Sequence, residues 1–454
     1  MRRKGLFRSS GLAHGISVLW LAILALGFGN VVPESVLAQK VPLPDSGKKI
    51  TVPEGPVDYR GCVELALRQS PYLVNSKVEI DLKQIDEKDS KWSFIPTLSM
   101  HSGYYFSTPA GQSPYSLQFY SDPYNPFETY FTLQARKVIT KMTFLAHQQS
   151  ISEFIFHLGE HFLELDSQMR VEAIQKESVA LAEQNVAFTA SRLKSGTGTR
   201  ADAQLAEQEA ELAVMERDRI SADIATLRDT IKSLLGLAPE QRLEFSLQDV
   251  KKQVIDDFNP STVTYSEVLA SSFLMQVQTM KRELQSKNIT LARMKYMPVF
   301  NLGIENANPL SGVNNNDAVY VTAGVTMPIW DNLTRMRNVT RQKLILQQYE
   351  AEGDVKSREL NTRWESALAK LRAAAVQRKV AEGQLQVAST KERQAEIGYR
   401  EGRQPFSVMV GEQRGRLDAR KSVEAQMTAY NKAVLEIRYY SGDLFRNYVQ
   451  VTPF

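Results

Sequence analysis
The chain carries the same plan twice, and that duplication limits the folds open to it. Around Gly196 it reads FTASRLKSGTGTRADAQLAEQEAEL and runs on to SLLG at Gly236. Around Gly402 it reads AEIGYREGRQPFSVMVGEQRGRLDARK and runs on to YYSG at Gly442, so forty residues separate the two glycines each time. A second pair precedes these: the stretch near Cys62, ending WSFIPTLSM, matches the one near Glu267, ending YMPVFNLGI. A repeat of this length makes the chain two copies of one unit rather than a string of unrelated domains.

The N-terminus reads as a processing segment. Arg2, Arg3, Lys4 and Arg8 precede an apolar stretch from Gly15 to Val32, and Val36-Leu37-Ala38 supplies small residues for cleavage before Gln39. Residues 1–38 are therefore expected to be a secretory signal peptide; a retained N-terminal anchor is the other reading. Removing them lowers the net charge from +4 to about +1, which leaves no electrostatic footprint for nucleic acid. A lone cysteine, Cys62, allows no internal disulfide, so stability must come from packing or oligomerisation. It also lies too far from the cleavage site for a lipid anchor there. Beyond residue 38 no apolar run reaches the roughly 18 residues of a spanning helix, so entry into a bilayer would require a closed β-barrel.

Four short stretches alternate with period two. They are read at Leu98–Phe106, Phe127–Ala135, Phe300–Ile304 and Val319–Met327. Three of them have nine residues, near the roughly 9–11 of a tilted transmembrane strand, and the one at Phe300 is shorter. Tyr104, Tyr105, Phe106, Tyr124, Phe127 and Trp330 gather near their ends, as in an interfacial aromatic girdle. Ser107–Pro126 and Asn308–Asp317 read as loops. A soluble β-sandwich is the competing account, but the chain offers few strands and much helix. Four strands cannot close a membrane barrel, which needs about eight, so several copies must contribute.

The rest reads as helix. Thr143–Lys194 lacks proline and has a single glycine, Gly159. Asp202–Leu235 carries a heptad seam through Ala203, Ala206, Ala210, Ala213, Arg217, Ile220, Ile224, Leu227, Ile231 and Leu234. Arg341–Tyr399 has a stripe of Trp364, Leu368, Leu371 and Ala375, and its return helix one of Val423, Met427, Tyr430, Val434 and Ile437. Helices this long with narrow seams need neighbours to bury them. Shorter helices, Tyr59–Ser93 and Tyr265–Tyr296, meet Pro96 and Pro298 at the strand junctions, and Leu237–Pro260 reads as a polar linker. The divisions expected are an extended segment 39–58, a first repeat 59–236, an equatorial linker 237–264, a second repeat 265–442 and a tail 443–454. The fold class is mainly α with a transmembrane β-barrel contribution: duplicated long coiled-coil helical hairpins plus four strands per chain.

The LALRQSPYL opening, the helix-to-proline-to-strand junctions, MPIWDN after the fourth strand, the tips Arg192-Leu193-x-x-Gly196 and Tyr399-Arg400-x-Gly402, and the SLLG ending occur in order. In that order the chain resembles the TolC-type outer-membrane factor family. The resemblance implies a homotrimer with a twelve-stranded barrel in outer-membrane lipid and a long periplasmic α-barrel. It implies an exit duct for a tripartite efflux pump, docked tip to tip with a periplasmic adaptor joined to an inner-membrane transporter. The outer-membrane component of type I protein secretion is an alternative, and a periplasmic coiled-coil scaffold without a pore is another. Carried over, the docking tips are Gly196, Thr197, Gly198 and Thr199, then Gly402, Arg403, Gln404, Pro405, Phe406 and Ser407. Tight turns alone would also account for these glycines. Asp202 and Glu412 are candidate acidic residues of the periplasmic entrance. One departure is expected: Gln134-Ala135-Arg136-Lys137 stands where the family often has Pro and Gly between second strand and helix, whereas Pro328 is kept in the second half.

Enzymatic chemistry is not expected. His157-Leu-Gly-Glu160-His161 spells the inverted zinc-protease pattern, with both imidazoles on one helix face. A catalytic zinc site needs a third ligand and a pocket, so the motif is read as polar residues of a helix face, or at most a surface metal site. No cofactor motif is present.

Overall fold
The computed structural model describes residues 55–104, 115–238, 240–256, 258–306, 319–327 and 329–449. The expected signal peptide, most of the extended segment 39–58, Tyr105, Phe106, the loop residues 107–114 and 307–318, and Pro328 lie outside them.

The duplication is carried into the structure. The first copy runs α1 (Tyr59–Gln69), α2 (Pro71–Trp92), β1 (Leu98–Tyr104), β2 (Tyr115–Ser121), α3 (Pro126–Lys194) and α4 (Arg200–Leu234). A short linker helix, α5 (Val250–Ile255), follows. The second copy runs α6 (Tyr265–Ser271), α7 (Phe273–Met294), β3 (Val299–Asn306), β4 (Val319–Thr326), α8 (Thr334–Arg400) and α9 (Phe406–Tyr440), before α10 (Asp443–Tyr448). The long helices have 69 and 67 residues, and their return helices 35 each. At 1.5 Å per residue the long ones reach about 100 Å.

Each short helix expected near the start of a copy is broken in two. Pro71 cannot donate and keeps Ser70 out of the helical region, at φ −58°, ψ 123°. Ser272 holds a similar conformation, φ −67°, ψ 112°, and caps the Met275 amide. These breaks let each copy close on itself. The Ser70 hydroxyl donates to the Leu234 carbonyl at 3.1 Å, and the Ser271 hydroxyl to the Tyr440 carbonyl at 3.3 Å. Those carbonyls end α4 and α9, where Gly236 (φ 76°) and Gly442 (φ 72°) take the left-handed conformation of a C-terminal cap.

The second strand is not Phe127–Ala135, and the loop expected over 107–126 contains β2 instead. Residues 127–135 are the first turns of α3. Asn125 accepts from the Phe127 and Glu128 amides, both at 3.1 Å, and Pro126 takes the first helical position. The entry into the long helix therefore lies at Asp122-Pro123-Tyr124-Asn125-Pro126, and the departure expected at 134–137 disappears. In the second copy Asp331 accepts from the Arg335 amide at 3.0 Å, and α8 begins at Thr334 rather than Arg341.

The four strands form one antiparallel sheet in the order β1-β2-β3-β4. The helices form a layer in which α3 pairs with α4 and α8 with α9, while α9 lies along α3; nearer the sheet, α2 and α7 pack on α3, and α7 on α8. Half of the α4 seam is buried, at Ala206, Ala213, Ile220, Ile224 and Ile231, and Ala203, Ala210, Arg217, Leu227 and Leu234 are half-buried. Trp364, Ala367, Leu360 and Ile437 join the two helices of the second hairpin around Val268.

The linker is not a polar spacer. Val57 pairs in parallel with Phe245, and Leu237, Leu243, Val250, Val254 and Ile255 are buried. Gly159, the lone glycine of α3, sits where a β-carbon would lie 3.0 Å from Leu435 and 3.2 Å from Val254. The glycine gives α3 room to approach α9 and α5 this closely without displacing those side chains. Beside it Tyr59 is fully buried, donates to the Ile155 carbonyl at 2.9 Å, and meets Phe162 and Tyr448 edge to face.

Candidate functional site
Two regions carry the features from which a function can be argued: the sheet and the paired hairpin tips. The pleat sorts the sheet into two faces. Met100 pairs with Phe119, Phe300 with Val325 and Leu302 with Ala323, which places these apolar residues and Leu98 on one face. The other face carries Ser99, Tyr120, Asn301, Thr322 and Thr326. The apolar face is bare: Leu98 is 66% exposed, Leu302 51% and Val325 64%. Trp330 and Ile329 stand out at the corner that follows, at 77% and 96%. Of the aromatic girdle expected from sequence, Phe127 is exposed and Tyr124 bridges in antiparallel fashion to Phe300. Among the described residues the sheet has unpaired edges at β1 and β4. Such an edge, flanked by a bare apolar face, is costly in water unless another chain or a lipid covers it.

The helix layer is open in the same way. Its outer members near the tips are α4 and α8. Val376, Val380 and Val387 on α8, and Leu212 and Met215 on α4, are exposed.

At the tips, Gly196 (φ 76°) and Gly402 (φ 72°) make the left-handed turn that reverses the chain. The bonds behind them match: the Thr197 and Gly198 amides donate to the Arg192 carbonyl at 3.0 and 2.9 Å, and the Arg403 and Gln404 amides to the Gly398 carbonyl at 2.7 and 3.1 Å. Thr199 then caps α4 by accepting from the Asp202 amide, and Pro405 leads into α9. Gly196, Thr197, Gly402, Arg403, Gln404 and Ser407 are exposed, and Arg403 pairs with Glu401 at 3.0 Å. Phe406 points the other way. It is buried with Ala206, Met409 and Val410, against Tyr399. Asp202 and Glu412 are half-buried, one in the first turn of α4 and the other on α9.

The two tips are joined by a contact that the sequence did not disclose. Arg192 donates through Nη1 to the Tyr399 hydroxyl at 2.7 Å and through Nη2 to the Thr197 carbonyl at 3.0 Å. Its guanidinium also lies 5.3 Å from the Tyr399 ring centre and 5.9 Å from that of Phe188. Farther along, Glu177 of α3 binds Arg416 at 3.2 Å and also Arg420. Arg416 Nε lies 2.7 Å from Glu392 of α8, so one guanidinium ties three helices. Burial acts to raise the Glu177 carboxyl, but the two arginines more than offset it and hold it below its ordinary value.

The histidine motif divides between core and surface. Leu158 and Gly159 face the core, whereas His157 is exposed and lies 3.0 Å from Glu160. His161 is half-buried near Lys432, which binds Glu164 at 2.6 Å. Among the described residues no three such side chains are grouped to hold a metal ion.

No family model and no curated protein matches the sequence. Solved structures do match in fold. A membrane protein from Pseudomonas aeruginosa gives a TM-score of 0.72 at 16% identity, over 85% of this chain and 92% of that one. The outer membrane protein VceC of Vibrio cholerae gives 0.69 at 12% identity, over 85% and 96%. The outer membrane channel MtrE of Neisseria gonorrhoeae, in its open state, gives 0.67 at 13% identity, over 85% and 88%. The chain thus shares its fold, nearly end to end, with outer-membrane channel proteins.

Proposed function
We propose that this chain is a passive exit duct of the outer membrane and not an enzyme. Three copies join β4 to β1 around an axis and close a twelve-stranded barrel, apolar face outward. The same rotation sets the α4 edge of one copy against the α8 edge of the next and closes a periplasmic α-barrel below it. The observation that carries this reading is the open sheet with a bare apolar face and two unpaired edges. In a bilayer only closure satisfies such edges. The fold shared with outer-membrane channels agrees with it.

In this reading the exposed tip residues meet a periplasmic adaptor bound to an inner-membrane transporter, which supplies the energy of efflux. The link from Arg192 to Tyr399 holds the two hairpins of one copy together at the entrance. An adaptor opens the entrance only by binding the splayed state more tightly than the closed one. Residues 1–38 direct export and are removed.

The test is the native mass of the mature chain, extracted in detergent from outer-membrane fractions. A trimer is expected. A monomer or dimer in the soluble periplasm would sink the duct and leave a helical scaffold.

A further inference from the structure
A groove of about 920 Å³ opens between α2, α3 and α7 with Leu67 of α1 at its edge, within the size range of small-molecule sites. Leu67, Ile80, Phe144, Leu145 and Met280 give it an apolar floor. Its charged lining is Lys77 and Asp81 from α2 and Lys141 from α3. Neither lysine has an ion-pair partner among the described residues, although ion pairs are frequent on these helices, such as Lys83–Asp86 at 3.5 Å and Arg136–Asp86 at 3.5 Å. His147 also lines the groove and bonds Ser76 at 2.6 Å. Burial and then the charge of Lys77 lower its pKa, so the imidazole is neutral at neutral pH and leaves the cationic character to the lysines. Lys141 stands six residues before His147, about 9 Å along the α3 axis. Thr140, in the same wall, is about 21 Å along α3 from Pro126, so the groove is separate from the apolar face of the sheet.

We propose that this groove binds an anionic amphiphile of the fatty-acid class, its tail on the apolar floor and its carboxylate between Lys77 and Lys141. The complementarity is twofold. An apolar floor left open to water gains from a hydrocarbon tail. Two unpaired ammonium groups against one carboxylate favour an anionic head over a neutral or cationic one. The site stands on the groove itself and does not depend on the duct reading.

The test uses the mature chain in nanodiscs with a photoactivatable diazirine fatty acid, followed by peptide mapping of the adducts. Adducts are expected on α2, on α3 around 140–147 and on α7 around 276–280. Excess dodecanoate should compete and dodecanol should not. Reversing both charges, Lys77→Glu with Lys141→Glu, should lower labelling of these segments by about tenfold. If that variant fails to assemble, Lys77→Gln with Lys141→Gln is held to the same expectation of lost labelling. Adducts confined to the strands, equal competition by dodecanol, or labelling indifferent to the lysine charges would each overturn the proposal, as would groove segments left unlabelled because a neighbouring copy covers them. Trimer mass is measured on the same sample, so failure of the duct is seen separately from failure of the site.

Discussion

Gly198 lies so close under Arg192 that a β-carbon on it would stand 2.9 Å from the Arg192 β-carbon. The second tip reverses the arrangement: Gly398 takes the place of Arg192, and a β-carbon there would lie 3.0 Å from the side chain of Gln404, which takes the place of Gly198. Each tip thus has room for one side chain at the crossing. Gly198→Gln should loosen the first tip by about 1–3 kcal/mol, the usual cost of overpacking. Adding Arg192→Gly clears the crossing, so Gly198→Gln should cost less in an Arg192→Gly background than in the wild type, even though Arg192→Gly itself loses the Tyr399 contact. Hydrogen exchange of the amides around 190–205 reads the four proteins, and a cost of Gly198→Gln unchanged by Arg192→Gly would refute the steric account.

The Arg192–Tyr399 contact combines a hydrogen bond and a stacked cation, and two substitutions separate them. Tyr399→Phe keeps the ring and loses the acceptor, at a cost of about 1 kcal/mol. Arg192→Ala removes both and should cost more, since the cation–π part adds about 0.5–1 kcal/mol at a site this open. Faster exchange in the first turns of α9 is the expected readout, larger for Arg192→Ala.

Arg438 is 2% exposed and joins three segments of the chain. Its Nε donates to Asp443 at 2.7 Å and its Nη1 to the Val254 carbonyl at 2.8 Å. Arg438→Ala takes the arginine from the Val254 carbonyl and leaves Asp443 with Asn447 as a donor at 3.1 Å, and should cost about 1–3 kcal/mol. Arg438→Met fills the space and should cost less than Arg438→Ala. Thermal unfolding in nanodiscs compares them; equal midpoints for wild type and Arg438→Ala would show that these bonds do not matter.

Acid should destabilise the fold in two stages. Burial holds His161 below the ordinary 6.5, with Lys432 and His157 adding to it and Glu160 and Glu164 opposing. His147 is lowered by burial and then by Lys77. For both, the unfolded chain takes up a proton at higher pH than the folded one, so stability is complete above about 6.5 and declines as the pH falls through the folded values. His147→Gln with His161→Gln should flatten that limb. Glu164 gives the second stage. Burial raises its carboxyl, but bonds from Lys432 and Gln168 outweigh burial and set it below 4.5. Its contribution is present above 4.5 and is lost as the pH falls through the folded value. Unfolding midpoints from about pH 8 to 2 separate the two.

Leu302 lies mid-strand on the bare face of the sheet. If that face meets lipid, Leu302→Arg should cost about 2–4 kcal/mol near the bilayer midplane. Thr322→Arg, on the opposite face, should cost much less. Folding into lipid vesicles, followed by protease protection, measures both; equal penalties would mean that neither face is in lipid.

The helices were legible because their seams repeat over many turns. Ala206, Ala213, Ile220 and Ile231 occupy the heptad positions where the sequence places them. The second strand was misread because Phe127, Thr129, Phe131 and Leu133 alternate over a run too short to distinguish strand from helix. The deciding signal was Asn125-Pro126 with Glu128 behind it, a cap and first turn that outweigh a short alternation. At the tips the turn glycines were visible in the sequence. The contact that joins them was not, since 207 residues separate Arg192 from Tyr399. Nor did any local pattern mark the groove, whose walls come from α1, α2, α3 and α7.

The middle of the chain receives both ends of its described part. Val57 pairs with Phe245 of the linker, the Tyr448 hydroxyl reaches the Gln253 carbonyl at 2.5 Å, and the rings of Tyr59 and Tyr448 lie 5.4 Å apart. Ends this near make circular permutation a reasonable operation. A gene that starts in the exposed linker near Glu240, passes through the second copy, crosses from Tyr448 to Val57 by a short bridge and finishes with the first copy would rebuild the same contacts. Which copy is translated first is therefore not dictated by this architecture.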